Sequence, residues 1–399
     1  MTANLLPPPE LLLAATNKAY PKNQPDFTYA MFGEDWMHIQ VFVNAILKMP
    51  IATADFTKRY GAIDAGDEKQ IKNFLGNTKD MQKLGLRFGD PVTIMQKIKD
   101  DGTYVTGSNA PPELYAHNIW MAYQVQNTAK KFTNRCGGIK GHLNDGKGAV
   151  KENAAVVRQF LTGDKGLKDL VVTLEGQLKK LIESLATFST DFRGENDKLK
   201  LFIAKEGNIY KHAVAARKNC EEEAKELQKE ADAAYAKWKR VTTAACCVAP
   251  FGFLGALVAI GLGIWAATLR KKWKALLDKV QKEQDKVQQK IQLVTDLDGL
   301  RTQVTPLPKY TDDFQQKLDL ILGKWQNTSQ SISELAKLDD SKLGDKDNIN
   351  DVLDLEGATK EWQKVSDATE WFTQNALVMP KDTPFGTELQ LQDSWDRDR

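Results

Sequence analysis

The chain has 399 residues, with 55 Lys and Arg against 53 Asp and Glu, a formal net charge of +2 and a mean hydropathy of −0.45. That balance excludes a polytopic membrane protein, and with no basic block carrying interleaved aromatics it gives no reason to expect a nucleic-acid partner. Four cysteines, Cys136, Cys220, Cys246 and Cys247, are too scattered to form a disulfide framework and point to synthesis in a reducing cytosol.

At the N-terminus, Leu5-Leu6 and Leu11-Leu12-Leu13-Ala14-Ala15 are interrupted by Pro7-Pro8-Pro9 and Glu10, and no Lys or Arg precedes them. No cleavable signal is expected there, so secretion would use lysis or a non-classical route. Trp36, Ile39, Val43, Ile46 and Leu47 mark an apolar helix. Pro111-Pro112-Glu113 opens another through Leu114, Ile119, Tyr123 and Val125, since proline suits a first turn. The glycine-rich run 136–148 and Asp164-Lys165-Gly166 predict breaks. Leu167, Leu170, Val171, Leu174, Leu178, Leu181, Ile182, Leu185, Phe188 and Phe192 form a long helical seam, and Gly194 leaves its end open.

A second seam runs from Leu199 and Phe202 through Ile209, Ala213, Ala216, Cys220, Ala224, Leu227, Ala231 and Ala234 to Trp238, missing one slot at Glu206. A third runs from Leu269 through Trp273, Leu276, Val280, Val287, Ile291 and Val294 to Leu297. At 1.5 Å per residue these coiled-coil-like arms are about 45 to 60 Å long. Between them, Val241 to Leu269 carries no charge. A helix needs roughly 20 apolar residues to cross a bilayer core, but Pro250-Phe251-Gly252 breaks this stretch a third of the way along, so a hairpin is expected and the arms should run antiparallel. Later, Pro306 and Pro308 stop helix formation, Phe314, Leu318, Ile321, Leu322 and Trp325 restart it, and Val352 to Phe372 supplies a last amphipathic piece with Trp362 and Trp371.

These patterns predict an all-α fold: an elongated bundle of long antiparallel helices with a hydrophobic head hairpin at one end, either helical or a short β-tongue. The expected body is 1–240 with 270–399, and the head is 241–269. Within the head, Val248, Pro250, Phe251, Phe253, Leu254, Leu257, Val258, Ile260, Leu262, Ile264 and Trp265 are the candidate insertion residues. Trp238, Arg240, Arg270, Lys271 and Trp273 supply the aromatic and basic anchors that a membrane interface favours. Gly255, Ala259 and Gly263 recur every four residues, a spacing that suits close helix approach in lipid. The nine Leu, Ile, Phe and Val residues from Phe251 to Leu269 give an insertion energy of about −3 to −5 kcal/mol before Gly, Thr and the turn subtract some. Burial in water recovers about 1.5 to 3 kcal/mol for each such side chain, so the head can also be hidden.

Little in the sequence points to chemistry. Gly141 to Gly148 resembles a phosphate-binding loop, but it has Gly where Ser or Thr should bind magnesium and lacks a buried strand before it. His38, His117, His142 and His212 are dispersed without a zinc-ligand pattern. No cofactor, metal or enzymatic activity is expected.

A bundle of long helices with one hydrophobic hairpin, Ala244 to Leu269, between heptad-patterned arms resembles the α-helical pore-forming toxins related to cytolysin A, especially the haemolysin BL, non-haemolytic enterotoxin and xenorhabdolysin group. The basic flanks and the Cys246-Cys247 pair depart from that pattern. The resemblance implies a soluble, secreted protein whose head inserts into a target-cell bilayer. It also implies arms 198–240 and 266–298 that line or brace a pore, and association with further copies or with homologous toxin components. The alternative from another class is a membrane-anchored coiled-coil scaffold with a constitutive hairpin.

Overall fold

The computed structural model describes residues 13–15, 27–29, 31, 33–61, 66, 68–144, 149–204, 210–211, 214, 233, 293–294, 296–297, 300–301, 304–345, 354–376, 378–380 and 389–391. Ten α-helices are described in full: α1 Glu34–Leu47, α2 Thr53–Tyr60, α3 Glu68–Phe88, α4 Pro91–Asp100, α5 Leu114–Asn144, α6 Val150–Thr162, α7 Leu167–Ile203, α8 Leu307–Leu335, α9 Asp340–Leu343 and α10 Leu355–Asn375, with a short 3-10 turn at Gly102–Tyr104. Two antiparallel ladders accompany them, β1 Leu13–Ala15 with β2 Phe27–Tyr29 and β3 Val378–Pro380 with β4 Leu389–Leu391. The architecture is an all-α bundle with these three-residue strands as small additions.

The longest helix, α7, is the spine. Its 37 residues span about 55 Å, and α3, α5, α6 and α8 all pack on it. The seam read from the sequence is buried in full at Leu167, Val171, Leu174, Leu178, Leu181, Leu185, Phe188 and Phe192. Gly194 does not end the helix, which stops at Ile203 before the extended Ala204. Residues 198–203, expected to begin the outgoing arm, therefore belong to the body helix. Helix α8 runs antiparallel to α7: Ser189 meets Thr311 at 3.2 Å, Arg193 pairs with Asp312, and buried Asn196 faces the Val304 carbonyl at 3.3 Å. Pro308 lies in the first turn of α8, where a missing N–H costs nothing, so the helix begins at Leu307 between the two prolines.

The glycine-rich run is a correction. Helix α5 continues through Cys136-Gly137-Gly138 and Gly141 to Asn144; residues 145–148 lie outside the described set. A Cβ on Gly138 would lie 2.9 Å from the Phe160 ring of α6. The glycine thus permits close helix approach, and packing overrides its poor helix propensity. Helices α2, α3 and α4 were not anticipated, although Ile71, Phe74, Leu75, Met81, Leu84 and Phe88 carry a buried seam at helical spacing. Gly89, at φ +100°, turns the chain between α3 and α4 where a side chain would strike Ile94.

Aromatic rings mark the core along its length. Phe132 of α5 stacks on Trp362 of α10 at 4.7 Å, and Trp325 of α8 meets Trp362 edge-on. In the middle, Trp36 of α1 packs on Tyr115, Phe314 and Phe88 with centroids 5.0–5.8 Å apart. Near the end of α7, Phe202 meets Phe74, which in turn meets Phe56. Such contacts add about 0.5–1.5 kcal/mol per pair beyond area burial.

Candidate functional site at the base of the apolar segment

The insertion residues from Val248 to Trp265, the anchors Trp238, Arg240, Arg270, Lys271 and Trp273, and the small-residue set Gly255, Ala259 and Gly263 lie outside the described residues, as do Cys220, Cys246 and Cys247. Among the described residues, no helix is long and apolar enough to cross a membrane. The site that is described is formed by the residues that follow α7 and those that precede α8.

On the outgoing side, after α7 ends at the extended Ala204, Tyr210 and Lys211 are helical. On the returning side, Leu293, Val294, Leu297, Leu300 and Val304 are buried helical residues, so this part of the third seam packs into the core. The two sides meet where the Arg301 guanidinium lies 5.8 Å from the centre of the Tyr210 ring. The segments that follow α7 and precede α8 are therefore in contact, and Val214 also packs against the core.

One charged group interrupts the returning apolar seam. Asp296 is buried, and its Oδ2 accepts from Arg59 Nη2 and from the Tyr60 hydroxyl, both at 2.9 Å. Arg59 Nη1 also donates to the Lys48 carbonyl at the end of α1, and the guanidinium sits 5.3 Å above the Tyr60 ring. Burial, with the nearby Asp296 carboxylate, pushes the Tyr60 hydroxyl well above its usual pKa, while Arg59 opposes the shift. Tyr60 thus remains a proton donor to Asp296 throughout the physiological range. Sequence reasoning missed this cluster because its members are 236 and 237 residues apart.

Other polar and titratable groups among the described residues have separate surroundings. A cavity of about 700 Å³ between α5 and α7 is lined by Lys131, Arg135, Lys165 and Asp169 among others, and Asp169 accepts from the Lys165 backbone N–H at 3.0 Å. His38 lies flat on Tyr310 at 4.3 Å, and burial lowers its pKa to about 4; His117 is lowered to about 4 by burial and by Lys180. Burial pushes the Cys136 thiol up to about 12, which makes it a poor nucleophile. Among the described residues, no three His, Cys, Asp or Glu side chains converge to hold a metal ion.

No family model matches the chain, and no curated protein matches it in sequence. Solved structures do. The Bacillus cereus HblL1 toxin component is 13% identical over 86% of this chain and 94% of its own, with a TM-score of 0.49. Soluble SmhA of the tripartite α-pore-forming toxin Smh from Serratia marcescens is 12% identical over 86% and 92%, with a TM-score of 0.43. The SmhB pore of the same toxin is 11% identical over 86% and 98%, with a TM-score of 0.40. Both Serratia chains are named as parts of an α-pore-forming toxin, the class that the sequence resembles. With TM-scores under 0.5, these chains are similar to this one in outline only.

Proposed function

We propose that this protein is a pore-forming cytolysin, or one component of a multicomponent pore-forming toxin, that is released in soluble form and acts on target-cell membranes without enzymatic chemistry. Residues 241–269 form its head, and they enter the bilayer as several copies or homologous components assemble.

The observation that carries this reading is the meeting of Tyr210 and Arg301. Residues 211–240 leave 30 positions on the outgoing side and 270–300 leave 31 on the return, so the 29 uncharged residues 241–269 are centred between two points that touch. A chain with joined ends and heptad-patterned arms of equal length has its apolar stretch at the far tip. The body supports the same reading: among the described residues the helices bury their own seams against each other, and none is long and apolar enough to cross a membrane. In the scaffold alternative the same apex would be inserted permanently.

Dye release from liposomes tests the proposal. The full chain, alone or with partner components, should empty the vesicles, and deletion of 244–266 should abolish release. Leu257→Asp and Ile260→Asp each place a carboxylate near mid-membrane at a cost of roughly 2.5–3.5 kcal/mol. Release should fall while the far-ultraviolet dichroism of the soluble form is unchanged. Release that survives the deletion refutes the proposal, and a chain found only in membrane fractions supports the scaffold.

A further inference from the structure

We propose that Arg59 and Tyr60 of α2 are positioning residues that lock the returning arm in register at Asp296, and that this lock opens before the head engages a membrane. The second half of this inference rests on the function proposed above; the first does not.

The returning seam Leu293, Val294, Leu297, Leu300 and Val304 is apolar and buried, and Asp296 lies buried in the same stretch. The Asp296 carboxylate is buried and the Arg59 side chain is 24% exposed; such a pair is a weak way to gain stability, because desolvating the carboxylate costs about as much as the attraction returns, and apolar replacements are often as stable. Such a pair does specify position. Both donors reach one oxygen, Asp296 Oδ2, at 2.9 Å. Sliding the arm by one helical turn, about 5.4 Å, would carry the carboxylate beyond both while leaving it in an apolar groove. The ionic contact therefore penalises every register except this one, whereas the neighbouring leucines and valines would interdigitate in several.

The element that carries the donors is suited to letting go. Helix α2 has eight residues, of which Phe56 and Tyr60 are the buried ones. It packs chiefly on α3, through Phe56 and Phe74. It can swing away without separating α7 from α8, whose joint runs through Ser189–Thr311 and Arg193–Asp312. Because Arg59 also holds the Lys48 carbonyl, the lock ties the end of α1 to the arm. Any movement of the arm must break this tie first.

Hydrogen exchange on the full-length protein, read alongside dye release, tests the lock. In Arg59→Met and Tyr60→Phe, amides of 293–304 should exchange about tenfold or more faster, because the remaining buried charge loses a partner. Amides of 185–192 and 314–325 should keep their wild-type rates. Arg59→Lys should rescue in part, and Arg59→Met combined with Asp296→Leu should restore slow exchange by completing the apolar seam. In the same single variants the lag before dye release should shorten by a similar factor. Unchanged exchange at 293–304, or an equal rise throughout the body, overturns the lock. Faster local exchange with an unchanged lag overturns its role in release. A wild-type protein that never releases dye while the exchange responds overturns the pore function and leaves the lock standing.

Discussion

At the scale of single residues, the body buries imidazoles that its interior holds neutral. His38 is pressed against Tyr310 with Nε2 shut away from solvent, and His117 meets Trp120 with Lys180 nearby. Both have folded pKa values near 4, below the 6.5 of an exposed histidine. The unfolded chain therefore binds more protons than the folded one between about pH 6.5 and 4, and stability falls as pH falls through that window. The loss is about 2 kcal/mol per histidine at pH 5. Urea midpoints at pH 7.5 and pH 5.0 should separate accordingly, and His38→Gln with His117→Gln should narrow the gap; an equal gap in that double variant would place the acid sensitivity elsewhere. The histidines could be listed from sequence, but their burial could not, because it depends on which helices close over them.

At the scale of elements, what the sequence revealed depended on where a helix finds its partners. The α7 seam was legible because its apolar positions recur regularly over seven turns, and packing buries all of its central members. Helix α5 was misread at its glycines because the compensating contact, Phe160, comes from another element. Helix α3 carries a shorter seam that polar residues interrupt, since Asn77 and Thr78 occupy buried positions between Leu75 and Met81. The end of α8 shows a further tertiary device. Arg158 of α6 donates to the Ala336 and Leu338 carbonyls and to Asp340, at 3.1, 2.7 and 2.6 Å, and so satisfies carbonyls that the helix end leaves open. Lysine cannot reproduce this fork. Arg158→Lys should lower stability by about 1–2 kcal/mol, visible as a lower urea midpoint at unchanged slope. A wild-type midpoint would mean that the fork adds nothing to the joint between α6 and α8.

At the scale of the whole molecule, Tyr210 after α7 and Arg301 before α8 bring together the two sides of the segment between them. The sequence exposed the uncharged stretch and the heptads beside it, since charge and periodicity are local properties. It could not say where the arms begin, and the structure moves the outgoing base from 198 to beyond the Ala204 break. Nor could it reveal that Tyr210 and Arg301 meet, or that Arg59 and Tyr60 hold the arm at Asp296, because these contacts join positions with no local signature. On the proposed function, the placing of 241–269 midway in sequence between Tyr210 and Arg301 predicts that a bilayer is met first by this segment, while the surface of the body stays in water.

A solvent-sensitive fluorophore tests that claim most directly. It would be attached at Leu257→Cys, and separately at the exposed body position Leu86→Cys, in chains whose four native cysteines are replaced by alanine. On addition of liposomes the emission from position 257 should shift to the blue and become quenchable by lipid-borne quenchers, while that from position 86 stays as in water. An unshifted signal at 257, or an equal shift at both positions, would contradict the account.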